Sequence, residues 1–191
     1  MRNKILLAMS VAGMMCSATA FAEDSTATAS GKITAIATVN DAPCDIQAGD
    51  DNLTIDFKQV SNKKLKTTGP DEASLRHVSI HLVNCSFDKE DGPPSSNKLS
   101  KVDITFSGNQ SPDNKYFANS TANGMAENVG LLLRKTDGSD IAPSGKIADQ
   151  QLTIGNNNTI NFNALLANTG TEGSVTTGRV EIPVTYTLTY H

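Results

Sequence analysis

The side chains with chemistry to offer are few: three cysteines, three histidines and a short acidic run at Asp88-Lys89-Glu90-Asp91. His77 and His81 stand four apart, a spacing that lets two ligands share one ion when the segment is helical. Their segment, Val78-Ser79-Ile80-His81-Leu82, instead alternates apolar and polar residues, the period of a half-buried strand. Four strand residues span about 13 Å, too far for a shared ion, so both histidines are expected on the wet face. No Ser-His-Asp or Cys-His set stands at a suggestive spacing. The acids are scattered through turn-rich stretches rather than set out as a catalytic pair. No catalytic residue, cofactor or metal site is predicted. Asn52-Leu53-Thr54 and Asn119-Ser120-Thr121 fit the glycosylation acceptor pattern, a short match of little weight.

The cysteines are more informative. Met1-Arg2-Asn3-Lys4 precedes an apolar run to about Cys16, and Ala20-Phe21-Ala22 closes it. A basic start, a short apolar core and an Ala-x-Ala ending read as a secretory signal peptide over 1–22, too short and wrongly flanked to span a membrane. Its removal leaves 169 of 191 residues, enough for one domain, and takes the net charge from −4 to −6 by the loss of Arg2 and Lys4. An acidic exported chain is a poor partner for nucleic acid or anionic membranes. Cys44 and Cys85 remain, and an isolated pair in an exported protein reads as a disulfide.

The elements that must carry this bond are strands. Gly31 to Val39 alternates, with Ala27, Ala29, Gly31, Ile33, Ala35, Ala37 and Val39 on one face. Asn40-Asp41-Ala42-Pro43 breaks the run. Further strands are predicted at Leu53–Phe57, Val78–Leu82, Val102–Phe106, Val129–Arg134 and Thr159–Leu165, with 86–98 an exposed loop and 107–127 irregular. Cys85 has the opposite parity to Val78, Ile80 and Leu82, which sets it at a bulge or just past its strand. The last stretch alternates without a break: Val180, Ile182, Val184, Tyr186, Leu188 and Tyr190 share a face. No segment shows a 3.6-residue period, and the pattern is that of an all-β sandwich. After the first disulfide-linked strand there are about five more main strands, one short of a covered immunoglobulin-like core. The final strand runs to His191, so a neighbour for it is expected from elsewhere, or else 25–39 folds back on its own domain.

These features resemble the subunits of chaperone–usher pili. Gly178 lies fourteenth from the C-terminus and Tyr190 is penultimate; Thr185-Tyr186-Thr187-Leu188-Thr189-Tyr190-His191 is similar to the family's ending. The two cysteines match in place, and Asp24 to Gly31 resembles the family's short N-terminal extension. The resemblance implies an incomplete immunoglobulin-like β-sandwich, lacking its final strand and completed in trans by donor-strand complementation. It implies a donor extension over 23–35, with Ala27, Ala29, Gly31, Ile33 and Ala35 as the donated face, and a pilin domain over 36–191. The groove and chaperone-pairing strand falls to Gly178, Val180, Ile182, Val184, Tyr186, Leu188, Tyr190 and the terminal carboxylate of His191. The implied partners are a periplasmic chaperone, an outer-membrane usher and neighbouring subunits, with the protein ending in a surface fimbria of a Gram-negative bacterium. Two departures stand out: Ala27 and Ala29 are smaller than usual in a donor face, and Pro183 interrupts the terminal strand with no N–H to donate. The rival from another class is a self-complete carbohydrate-binding module or adhesin. Against it, the chain has no Trp and 5% aromatics, so no stacking platform for sugars is evident.

Overall fold

The computed structural model describes residues 42–87 and 99–191. The expected signal peptide over 1–22, the expected extension over 23–35 and the loop acids Asp88 to Asp91 lie outside the described residues. Among the described residues, ten strands build two antiparallel sheets. They are β1 (Asp45–Ile46), β2 (Gly69–Pro70), β3 (Arg76–Val83), β4 (Lys101–Gly108), β5 (Phe117–Ala118), β6 (Val129–Lys135), β7 (Asp140–Ile141), β8 (Lys146–Gln151), β9 (Asn158–Asn168) and β10 (Val184–Tyr190). The larger sheet has the order β1-β3-β9-β6-β5, with β2 on β9 and β7 on β6; the smaller is β10-β4-β8.

The period of two explains the layering. In β3, Val78, Ile80 and Leu82 are buried while their neighbours are not, and in β4 Val102, Ile104 and Phe106 do the same. The two apolar faces meet, with Phe106 of β4 edge-on to Phe162 of β9 at 5.1 Å between ring centres. Central β6 is different: Val129 to Leu133 is buried without alternation. Val129, Leu131 and Leu133 share one face: Leu131 and Leu133 join the main core, and Val129 joins a second cluster further along it with Leu65, Ala126, Leu166 and Val175, while Leu132 is buried on the opposite face.

Cys44 and Cys85 form a disulfide across 41 residues, just outside the paired β1 and β3. Asn84 has φ of 53°, in the left-handed region that Asn tolerates. That residue changes the parity after β3 and turns Cys85 inward to 2% exposure, as the sequence predicts for a cysteine just past the strand.

Two expectations need correction. Leu53–Phe57 is not a strand: it makes no ladder among the described residues, although Ile55 and Phe57 pack on the core. Its alternation is real, but alternation buys a strand only where a neighbour stands alongside. Conversely, Lys146–Gln151 is a strand that sequence missed. Its one large buried residue is Ile147, and a register shift opposite Val102 and Ile104, with Asp149 at φ 53°, breaks its pattern.

Candidate functional site: a groove beside the terminal strand

The predicted terminal strand over 180–190 proves shorter as a ladder, since pairing begins at Val184, directly after Pro183. Its register runs unbroken against β4 from Val184↔Gly108 to Tyr190↔Val102. Beyond it Lys101 and His191 exchange both backbone hydrogen bonds, at 2.9 and 3.0 Å. In an antiparallel ladder such close pairs recur at every second residue. Thr185, Thr187 and Thr189 therefore turn their backbone groups to β4, while Val184, Tyr186, Leu188 and Tyr190 turn theirs to the opposite edge. Among the described residues no strand pairs with that edge.

The same parity continues upstream of the ladder. Arg179 and Glu181 bond to the 119–126 loop: the Arg179 N–H donates to the Gly124 carbonyl at 2.9 Å, the Ala126 N–H to the Arg179 carbonyl at 2.9 Å, and the Ser120 N–H to the Glu181 carbonyl at 3.1 Å. Asn119, 8% exposed, clamps this segment, accepting from the Glu181 N–H at 2.7 Å and donating to the Ala126 and Arg179 carbonyls at 2.8 and 3.1 Å. Val180 and Ile182 are left facing the open side, in line with Val184 to Tyr190. Pro183 has the other parity: its carbonyl points to β4, where a methyl built on Gly108 would lie 2.8 Å from it. The donor that proline lacks belongs to the β4 side. The open edge loses nothing, and the pairing with β4 runs without a shift from Val184 onward. Asn119 carried no signal in the sequence beyond a weak acceptor motif.

The open edge borders an apolar groove. A cavity of about 550 Å³ runs between Asn52–Phe57 on one wall and Val180–Tyr186 on the other, floored by Val78, Phe106, Leu131, Leu133, Phe162 and Leu166. A second, of about 590 Å³, continues it between Thr54–Val60 and Val175–Val180. They share Thr54, Ile55, Phe57, Leu166 and Val180, so the groove is continuous. The side chains on the β10 wall are half-buried at Val184, Tyr186, Leu188 and Tyr190, and Val180 is 41% exposed. Burial raises the pKa of both tyrosines, Tyr186 and Tyr190. Arg76 stacks over Phe57 at 5.6 Å and so covers the far wall. Gly178 lies at the head of this edge, its α-carbon against the backbone of Met125 and Ala126.

The other predicted residues are placed as follows. Ala27, Ala29, Gly31, Ile33 and Ala35 lie outside the described residues. His77 is exposed, as predicted, with its ring on Asn163. His81 is half-buried against Asp50 rather than simply solvent-facing. Asp103, Asp149 and His191 bring ligand-type atoms within 4.8 Å of one another, but Lys146 and Lys101 already hold the two carboxylates at 2.7 and 3.4 Å. Among the described residues no helix is long and apolar enough to cross a membrane.

Those ion pairs set a pH response. The Lys146 ammonium, through its hydrogen bond, holds the Asp103 carboxyl below its usual value, and the hydrogen bond from His191 does the same for Asp149. A carboxyl depressed in the folded state adds stability above its unfolded pKa and loses it as pH falls through the folded one. Melting temperature should hold steady from pH 8 to about 5 and decline below about pH 4. A melting curve unchanged down to pH 2 would contradict this.

The fimbrial protein family matches residues 28–191 of the chain. The F7-2 fimbrial protein of Escherichia coli is 30% identical over 98% of both chains, and the major MR/P fimbria protein of Proteus mirabilis is 27% identical over the same share. Among solved structures, a chain from a chaperone–usher pilus superposes with a TM-score of 0.69 at 23% identity, covering 86% of this chain and 98% of its own. The P pilus rod subunit PapA superposes at 0.63 with 23% identity, over 78% of this chain and 100% of its own. The sandwich is thus the immunoglobulin-like fold of pilins, and the chain belongs to the fimbrial protein family.

Proposed function

We propose that this chain is a structural, non-enzymatic subunit of a surface fimbria, whose fold is completed by a strand from another polypeptide. One observation carries the reading: six residues, Val180 to Tyr190 at every second position, present backbone groups along one open edge, while the side chains of Val180, Ile182, Val184 and Tyr186 line an apolar groove and Leu188 and Tyr190 pack half-buried on the core. Such an edge is a template for strand addition, with main-chain bonds giving affinity and alternate side chains giving register. A periplasmic chaperone lends the strand first. At the outer-membrane usher, the extension over 23–35 of a neighbouring subunit replaces it, with Ala27, Ala29, Gly31, Ile33 and Ala35 turned into the groove. Adhesion by the assembled fibre follows from the polymer.

The test is periplasmic expression of the mature chain without residues 23–35, with and without a cognate chaperone. Alone, it should aggregate or be degraded; with chaperone, it should be recovered. A peptide of residues 23–35 should then displace the chaperone slowly and give a far more heat-resistant complex. A stable monomer without chaperone or peptide would sink the reading and favour the self-complete binding module.

A further inference from the structure

The side chains along the open edge are apolar except at Tyr186 and Tyr190. The Tyr186 hydroxyl reaches across the end of the groove and donates to the Asp50 backbone carbonyl at 2.8 Å. Asp50 opens a short 3₁₀ turn, Asp50–Asn52, which follows Gly49 at φ 97°. That turn is fastened to the opposite sheet. The Asp50 carboxylate, in a residue 9% exposed, accepts the His81 backbone N–H at 2.7 Å and lies 2.8 Å from His81 Nδ1. The Gln47 N–H donates to the His81 carbonyl at 2.9 Å. Directly after the turn begins the wall Leu53–Val60, which has no backbone ladder of its own among the described residues. The first cavity starts at Asn52 on this wall and ends at Tyr186 on the other.

An apolar groove with one unladdered wall tends to collapse, because closing it removes apolar surface from water. Something must hold the walls apart. We propose that Tyr186 is a positioning residue for strand insertion, acting through Asp50 and His81 to brace the Leu53–Val60 wall against β10. The inference rests on the strand-exchange reading above and adds a residue whose polar tip, not its bulk, sets how readily the groove accepts a strand. A preformed groove spares the incoming strand the cost of ordering its receptor.

The test uses the full mature chain purified with its chaperone and a fluorescent peptide of residues 23–35. Uptake is followed against peptide concentration for the parent, Tyr186→Phe, Asp50→Ala and the double variant. Tyr186→Phe should raise the half-saturating concentration about tenfold, the worth of one net hydrogen bond, and leave the maximal rate unchanged. Asp50→Ala keeps the acceptor carbonyl but releases the turn from His81, and should shift the curve the same way. The double variant should be no worse than the stronger single one, since both act through one brace. Coincident curves, additive shifts, or a lower melting temperature without any change in uptake would each overturn the brace. If the parent itself takes up no peptide, the strand-exchange reading fails, a result plainly different from a parent that exchanges and a Tyr186→Phe that matches it.

Discussion

Replacing Cys44 and Cys85 together by alanine should lower stability by roughly 4 kcal/mol, the loop-entropy value for a bond spanning 41 residues. That is a large share of the 5–15 kcal/mol that typically holds a domain of this size. The expected shift in melting temperature is about 10 °C or more. The location makes the loss directional. β1 is two residues long and, among the described residues, sits at the sheet edge and pairs with β3 alone. The disulfide lies just outside that pairing, so without it the edge is held by two ladder positions, the Gln47–Asp50 contacts, the Ser86 N–H on the Pro43 carbonyl at 2.8 Å and the Asn84 amide on Asp45 at 2.9 Å. Both sulfurs are buried, at 5% and 2% residue exposure, so reductant should act slowly on the folded chain and quickly on an unfolded one. Thermal melts of parent and double variant, with and without reductant, check this. A double variant melting within 2 °C of the parent would refute it.

The second large effect is expected at Gly178. A methyl there would meet the Ala126 nitrogen, with the Met125 carbonyl carbon at 2.5 Å and its oxygen at 2.8 Å. These are backbone atoms and cannot swing aside, so the chain must move. Gly178→Ala should cost on the order of 1–3 kcal/mol by overpacking, and Gly178→Val more. The damage should reach the groove, because the displaced segment carries Val180 and Ile182 and is held by Asn119 and the 119–126 loop. Chaperone-dependent recovery and peptide uptake should therefore both fall, even at temperatures where the rest of the sandwich stays folded. Unchanged uptake by Gly178→Ala would show that the close approach at Met125 is not needed to align the edge.

Much of this was legible in the chain. The alternation over 180–190 put six residues on one face, and the structure keeps all six in line although only four belong to the ladder. Pro183 shows why the pattern survived: parity decides which side of the strand a missing N–H belongs to, and sequence gives parity. The strands at β3, β4, β6 and β9 were readable because each buries several large apolar residues. β8 was not, since it buries one large residue and is bent by a bulge. Leu53–Phe57 misled because a strand's period depends on its own side chains, whereas a ladder depends on a neighbour. The Tyr186–Asp50–His81 chain was out of reach, because its members are joined only by the meeting of two sheets.

The open edge also has a mechanical meaning. Antiparallel bonds lie across the strand direction, and the six edge residues point the same way. A strand seated there and pulled along its length would load its bonds in shear, all at once. Pulled from one end at right angles, the same bonds would open one after another like a zip. A fibre joined through this edge should therefore resist tension along its axis far better than peeling, and its joints should be limited by the slip of a whole strand rather than by any single contact.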